Sequence, residues 1–245
     1  MDTLAFEEAC RRVSEGKRLV KGIGTESEGS VHAVLKNYFE TDHDSQETSV
    51  GRFIADIVGE NGIIEIQTSH FKNLREKLRA FLPVAHVTVV YPVFTNKRLV
   101  EIDPDGSVIR ARRSPQKGTP YSIFREVYQI SEFLSDSSLS FVIMVLECDE
   151  YRRKGENGHI GTSVIDRFPT RLVDQINIDS PRDWEKLIPG LTEKELISPE
   201  LARIQHIPGN YASAALASLY KAGILDRLGK RGRSYVYRYR QNRAE

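Results

Sequence analysis

Only two cysteines, Cys10 and Cys148, occur in 245 residues, and neither belongs to a CxxC pair or stands beside clustered histidines. A disulfide framework and a zinc site therefore lack support, and a reducing cytoplasm is the expected location. Long apolar runs are equally scarce. The longest, Phe141 to Leu146, falls far short of the ~18 residues of a membrane span, and Met1 to Val20 is studded with charges. Membrane insertion and secretion are both disfavoured. Repeats and low-complexity tracts are missing. Lys21-Gly22-Ile23-Gly24 lacks the Gly-Lys-Ser/Thr ending of a phosphate-binding loop and reads as a bend. What is present is ordinary globular composition, 40% hydrophobic and 28% charged, in a chain long enough for one or two domains.

The net charge of +1 is unevenly spread: from Lys221 to Arg243, eight basic residues (Lys221, Arg227, Lys230, Arg231, Arg233, Arg238, Arg240, Arg243) face one acid, Asp226. With +7 in that tail, the rest of the chain carries −6. The C-terminal part is thus suited to a polyanion, nucleic acid foremost, while the remainder has another task.

Apolar spacing predicts amphipathic helices over Asp2 to Glu15 and Ser27 to Phe39, and another over Phe71 to Leu82, closed by Pro83. β-Branched runs predict strands at Arg52 to Val58 and Ile63 to Thr68 around Gly59-Glu60-Asn61-Gly62, where Asn-Gly signals a hairpin. A strand at Val87 to Val93 follows, then a hairpin of Arg98 to Ile102 and Val108 to Arg112 turning at Asp103-Pro104-Asp105-Gly106. Tyr121 to Leu134 reads as a helix, and Leu139 to Glu147 as a strand buried on both faces. No strand is legible in the polar stretch Glu40 to Ser49. The polar, glycine-containing stretch Tyr151 to Ile165 has the composition of a linker. The divisions expected are a domain at 1–150, a linker with a connecting helix at 151–190 and a second domain at 191–245.

Three acids sit where apolar residues belong. Glu28 falls on the stripe of its helix with Leu35, Phe39 and His32; Asp56 interrupts Phe-Ile-Ala and Ile-Val; Glu65 alternates with Ile64 and Ile66. A two-residue Asn61-Gly62 loop sets Asp56 opposite Gln67, with Glu65 diagonal to it. A Gly59 to Gly62 loop sets Asp56 opposite Glu65 directly. Either register puts Asp56, Glu65 and Gln67 on one face, whereas a three-residue loop separates the acids. Half-buried carboxylates so close require a proton, a cation, or satisfaction by neighbouring Arg and Lys. Oxygen-only ligands favour Mg²⁺ or Mn²⁺. His32 reads as a hydrogen-bonded neighbour, and Lys36 either stands near Glu28 in space or is solvated. Arg110, Arg112, Arg113 and Lys117 suit a phosphate backbone and a solvated hairpin edge equally well.

The array Glu28, Asp56 and Glu65-Ile66-Gln67, laid out as helix, strand, hairpin, strand, helix, strand, resembles the PD-(D/E)xK, or restriction-endonuclease-like, nuclease superfamily over roughly Ser27 to Val93. The resemblance implies an α/β fold with a mixed sheet flanked by helices. It makes Asp56 and Glu65 metal ligands, lends the Ile66 carbonyl to the same Mg²⁺ or Mn²⁺, and gives Glu28 a supporting place. Gln67 stands where that family usually has lysine, and its amide is suited to orienting a water without bringing charge. Ala55 stands in place of the motif's proline.

Further on, Thr192-Glu193-Lys194-Glu195 fits a capping box, and Ser198-Pro199 an N-cap with proline at the first helical position. Asn210 to Ala222 follows with Ala212, Ala215, Leu216 and Leu219 on one face, then two strands around Gly229-Lys230-Arg231-Gly232-Arg233. From Thr192 to Arg240 this resembles a small winged helix-turn-helix domain. By position Tyr211, Ser213, Ser218 and Lys221 face DNA, and Lys230, Arg231 and Arg233 are wing contacts. The expected function is metal-dependent DNA hydrolysis targeted by the winged helix, with DNA as partner, a homodimer admitted and no membrane. The alternatives are a catalytically inactive DNA-binding regulator, or a winged helix that binds protein.

Overall fold

The computed structural model describes residues 1–19, 29–103, 105–154 and 162–240. Glu28, the Lys21 to Gly24 bend, Pro104 and the last five residues, Arg243 among them, lie outside the described residues. The chain folds as a mixed α/β protein. Its helices are α1 (Thr3–Leu19), α2 (Ser30–Phe39), α3 (Arg75–Phe81), α4 (Ile123–Val127), α5 (Ser198–Ile204) and α6 (Gly209–Lys221). Its strands are β1 (Gln46–Val50), β2 (Phe53–Gly59), β3 (Gly62–Ile66), β4 (Val87–Ile102), β5 (Val108–Arg113), β6 (Leu139–Lys154), β7 (Thr162–Ile178), β8 (Leu225–Arg231) and β9 (Ser234–Tyr239). Among the described residues a seven-stranded sheet runs β1-β2-β3-β4-β6-β7, with β5 also on β4. β3, β4 and β6 are mutually parallel, and the other pairings in this sheet are antiparallel.

Strand β6 explains why helices cover both faces. Phe141 and Ile143 point into a core shared with α3, α4 and α6, while Val142, Met144 and Leu146 point into one shared with α1 and α2. Burying each such side chain is worth roughly 1.5–3 kcal/mol, and period-two alternation of apolar residues on both faces admits no solvated side. The run Leu139 to Glu147 is therefore a central strand, as its sequence predicts.

Several boundaries differ from expectation. Glu40 to Ser49 holds β1, whose exposed edge position lets Gln, Glu, Thr and Ser form a strand without an apolar pattern. Strands expected at Val87 to Val93 and Arg98 to Ile102 are one strand, β4, bulged between Phe94 and Asn96. The helix expected over Tyr121 to Leu134 breaks into α4 and 3₁₀ turns at Pro120–Ser122 and Tyr128–Phe133, with Ile130 at φ −123° and ψ 25°. The expected linker at 151–190 is largely sheet. Its polar residues finish β6 and form β7, which pairs with β6 from Phe141 to Lys154. Polar composition marked exposed ladder ends, and the connecting helix is a 3₁₀ turn, Pro181–Lys186, anchored by buried Trp184 against Phe124 and Phe141.

The C-terminal segment is continuous with this core. Ala212, Ala215, Leu216 and Leu219 of α6 join Phe124, Val127 and Ile130 in one buried cluster. β8 and β9 form a hairpin, and Leu196 exchanges backbone bonds of 2.8 and 2.9 Å with Tyr237. Thr192 to Glu195 starts no helix. Its threonine hydroxyl donates instead to Glu185 at 2.8 Å, and α5 begins at Ser198.

Candidate active site

The β2–β3 hairpin takes the second of the two registers: Val58 opposes Ile63 and Gly59 opposes Gly62, leaving Glu60-Asn61 as the turn. Gly62 is required there. Its φ is +111°, and a Cβ would lie 2.2 Å from the His86 carbonyl oxygen that accepts the Ile63 N–H. The hairpin ladder stops at Ile57 opposite Ile64. Beyond it Ile66 turns its N–H toward β2, where Asp56 Oδ2 accepts it at 2.7 Å. On the other edge Gln67 N–H bonds the Val90 carbonyl, and the next rung would need an N–H from Pro92, which has none. Both of β3's ladders thus end at the same level, and the two acids stand at that opening.

Asp56 Oδ2 also meets His32 Nε2 of α2 at 3.0 Å. Burial pushes the Asp56 carboxyl up, but the His32 bond and charge and the Ile66 N–H outweigh it, and the group lies below its ordinary value. Glu65, 2% exposed, behaves oppositely. Burial and then the nearby Asp56 charge push it up to about 7, even though Lys77 Nζ of α3 donates to its Oε2 at 2.7 Å. Its other oxygen, Oε1, is buried with no hydrogen-bond partner. A buried carboxylate oxygen left unsatisfied costs free energy on the order of 1–3 kcal/mol or more. The two acids are thus shifted in opposite directions, each with a cationic partner, His32 on Asp56 and Lys77 on Glu65.

A cleft of about 840 Å³ is walled by α2 at Val31 and His32, by β3's end at Ile66 and Gln67, and by Tyr91 to Phe94 of β4; Asp56 and Glu65 do not line it, and Asp56 meets its wall through His32 and the Ile66 N–H. Lys97, Lys117 and Arg167 supply its cations, Glu47 and Asp166 its acids. Gly118 permits the close wall, since a Cβ would lie 2.5 Å from the Phe94 carbonyl oxygen. Gln67 lines the cleft, but its amide donates to the Ser69 carbonyl and not toward the acids. Lys36 is buried and donates to Glu47 at 2.8 Å. The lysine actually at the acids is Lys77, which the sequence analysis passed over. It stands three residues after Leu74 and four before Phe81, both buried, so it lies on the margin of an apolar stripe. Among the described residues no group of three or more His, Cys, Asp or Glu is placed to hold a metal ion. Asp56 and Glu65 form a pair.

The C-terminal candidates divide. Ser213, Lys221, Lys230 and Arg233 are exposed, and Tyr211 is half-buried against the core. Ser218 does not face a ligand: it is fully buried, and its hydroxyl bonds the carbonyls of Phe124 at 2.9 Å and Ala214 at 2.7 Å. The position expected to face DNA is instead covered, because α6 packs on α4 through that side. Ser218→Ala is expected to cost roughly 1–2 kcal/mol of stability in urea unfolding, because the buried Phe124 carbonyl loses its donor. Lys221 Nζ lies 4.6 Å from the Tyr128 ring centroid and Lys230 Nζ 4.9 Å from that of Tyr235. Arg231 pairs with Glu195 at 3.3 Å and Glu200 at 3.6 Å, Arg238 with Glu195 at 2.6 Å, and Arg240 with Asp226 at 2.6 Å. The basic tail is therefore partly neutralised by acids folded against it.

No helix among the described residues is long and apolar enough to cross a membrane. The fold and the acid pair define a mixed α/β protein with a carboxylate site at the end of its parallel strands. Residues 29–179, from the start of α2 to the end of β7, match the family described as Domain of unknown function (DUF8091), and the chain belongs to that family. An uncharacterized protein of Treponema pallidum (strain Nichols) is 30% identical over 224 residues, covering 88% of this chain and 87% of the relative. That coverage extends well beyond residue 179. No solved structure matches the chain.

Proposed function

We propose that this protein is a metal-dependent DNA endonuclease with a restriction-endonuclease-like sheet, its C-terminal segment a winged helix that helps engage the duplex. The observation that carries this function is Glu65: a buried carboxylate with one unpartnered oxygen, held at about 7 beside charged Asp56, with Lys77 on its other oxygen and a cationic cleft adjoining. The donors fit a hard cation, with Glu65 Oε1, the Asp56 carboxylate and the Ile66 carbonyl as its holders. Bound there, Mg²⁺ or Mn²⁺ supplies Lewis acidity toward a phosphate oxygen. Lys77 brings the positive charge that the Gln67 position lacks, and His32 with the Ile66 N–H orients Asp56. The order α5, α6 and a β8–β9 hairpin turning at Gly232-Arg233 supports the winged-helix assignment, with Lys230 and Arg233 its exposed cations. A reducing cytoplasm suits the two free cysteines.

Supercoiled plasmid incubated with the full chain is expected to be nicked or linearised with Mg²⁺ or Mn²⁺ and left intact with EDTA. The Gln67 amide, committed to Ser69, favours one alternative, a DNA-binding protein without hydrolysis. Tight DNA binding with intact plasmid under every divalent metal tried decides for it.

A further inference from the structure

Glu150 of β6 has no solvent exposure, yet three cations converge on it: Lys97 Nζ of β4 at 3.4 Å, Arg167 Nε of β7 at 2.8 Å, and Arg152 Nε, two residues along β6, at 2.7 Å. One carboxylate thus pairs with three cations, one from each of β4, β6 and β7. Burial would push Glu150 up, but the bonds from Arg167 and Arg152 hold it at about 2, so it stays charged. Two of its partners, Lys97 and Arg167, line the cleft beside the acid pair, with Lys117 nearby. The cleft's own acids are already engaged. Glu47 accepts from Lys36, and Asp166 accepts the first backbone N–H of α2, from Ser30, at 3.0 Å.

Long cationic side chains lose rotamer freedom when they bind, and an anion gains most from cations whose freedom is already restricted. A buried carboxylate that reaches no ligand but grips two cleft-lining cations provides that restriction. We propose that Lys97 and Arg167 bind a phosphate of the DNA backbone in the cleft and that Glu150 is the positioning residue holding both in place; this rests on the nucleic-acid function proposed above.

The sign of one substitution separates positioning from simple charge. By charge alone, Glu150→Gln removes a negative group beside the cleft and tightens binding of a polyanion. If Glu150 positions the cations, the same change weakens it, by about tenfold for two side chains released. The measurement is fluorescence anisotropy of a fluorescein-labelled DNA duplex with the full chain in EDTA over a salt series, each variant's fold being verified by circular dichroism. Weaker binding by folded Glu150→Gln supports the proposal, and equal or tighter binding overturns it. The double variant Lys97→Ala with Arg167→Ala, which decides alone if Glu150→Gln does not fold, should lower the slope of log K against log salt by up to about 0.9, the value for one phosphate contact. An unchanged slope overturns the proposal. If that slope is unchanged while Glu65-dependent plasmid cleavage persists, the phosphate site fails and the nuclease stands. If the slope falls but no metal supports cleavage, the phosphate site stands and hydrolysis fails. Wild-type protein that binds no DNA at low salt removes both.

Discussion

On the proposed function, Glu65→Ala and Asp56→Ala are each expected to reduce Mg²⁺-dependent plasmid cleavage by at least about a thousandfold, because stabilisation of several kcal/mol by a held cation would be lost with either carboxylate. Binding of duplex in EDTA is expected to be retained or slightly tighter, since each change removes an acid that repels phosphate when no cation is held. Lys77→Ala is expected to be milder, about a hundredfold, as it removes a cation from Glu65 but leaves both carboxylates. The pH profile carries a second signature. Glu65, held at about 7, would have to be deprotonated to act as a ligand, so activity is expected to fall as pH drops through about 7, with rising Mg²⁺ concentration moving the midpoint to lower pH. Cleavage that survives Glu65→Ala would place the chemistry elsewhere in the chain or in a contaminant.

Glu65→Gln is expected to make the protein more stable at pH 8 and, on the proposed function, inactive. The physical cause is the raised carboxyl. Its ordinary value is 4.5 and its folded value about 7, so the folded state binds the Glu65 proton more tightly than the unfolded state does. The stabilisation from that proton is complete below about 4.5, declines as pH rises and is gone above about 7, a difference of roughly 3 kcal/mol. An amide keeps the side-chain volume without the ionisation cost, and Lys77, 26% exposed, can turn its ammonium to water. The variant should therefore gain roughly 3 kcal/mol at pH 8, seen as a rise in Tm of about 6–12 °C, and almost nothing at pH 4.5. A pH-independent difference, or destabilisation at pH 8, would mean that Glu65 is a structural ion-pair partner of Lys77. Stability gained as activity is lost is the expected trade at a site whose charge is held against its environment.

The sequence by itself determined the elements whose side chains report their own surroundings. Leu139 to Glu147 is apolar at consecutive positions, which only a doubly covered strand tolerates, and β6 lies there. Asp56 and Glu65 were legible because an acid among β-branched residues violates local expectation, and hairpin parity placed them together. The α2 helix, the β2–β3 hairpin, the β4–β5 hairpin and the α5–α6–β8–β9 order were legible from period and turn residues in the same way.

Tertiary structure alone decided the rest, because each case depends on a partner remote in the chain. Gln46 to Val50 is a strand only because β2 offers it a ladder, and Tyr151 onward is sheet, not linker, because β6 and β7 pair. Ser218 looked like a surface serine until α4 covered it. The +7 tail counted only its own acid, whereas the fold lays Glu195 and Glu200 against Arg231 and Arg238. Lys77 reaches Glu65 from a different helix, and Glu150 gathers cations from three strands, since ion pairs form where side chains meet in space and sequence distance does not limit them.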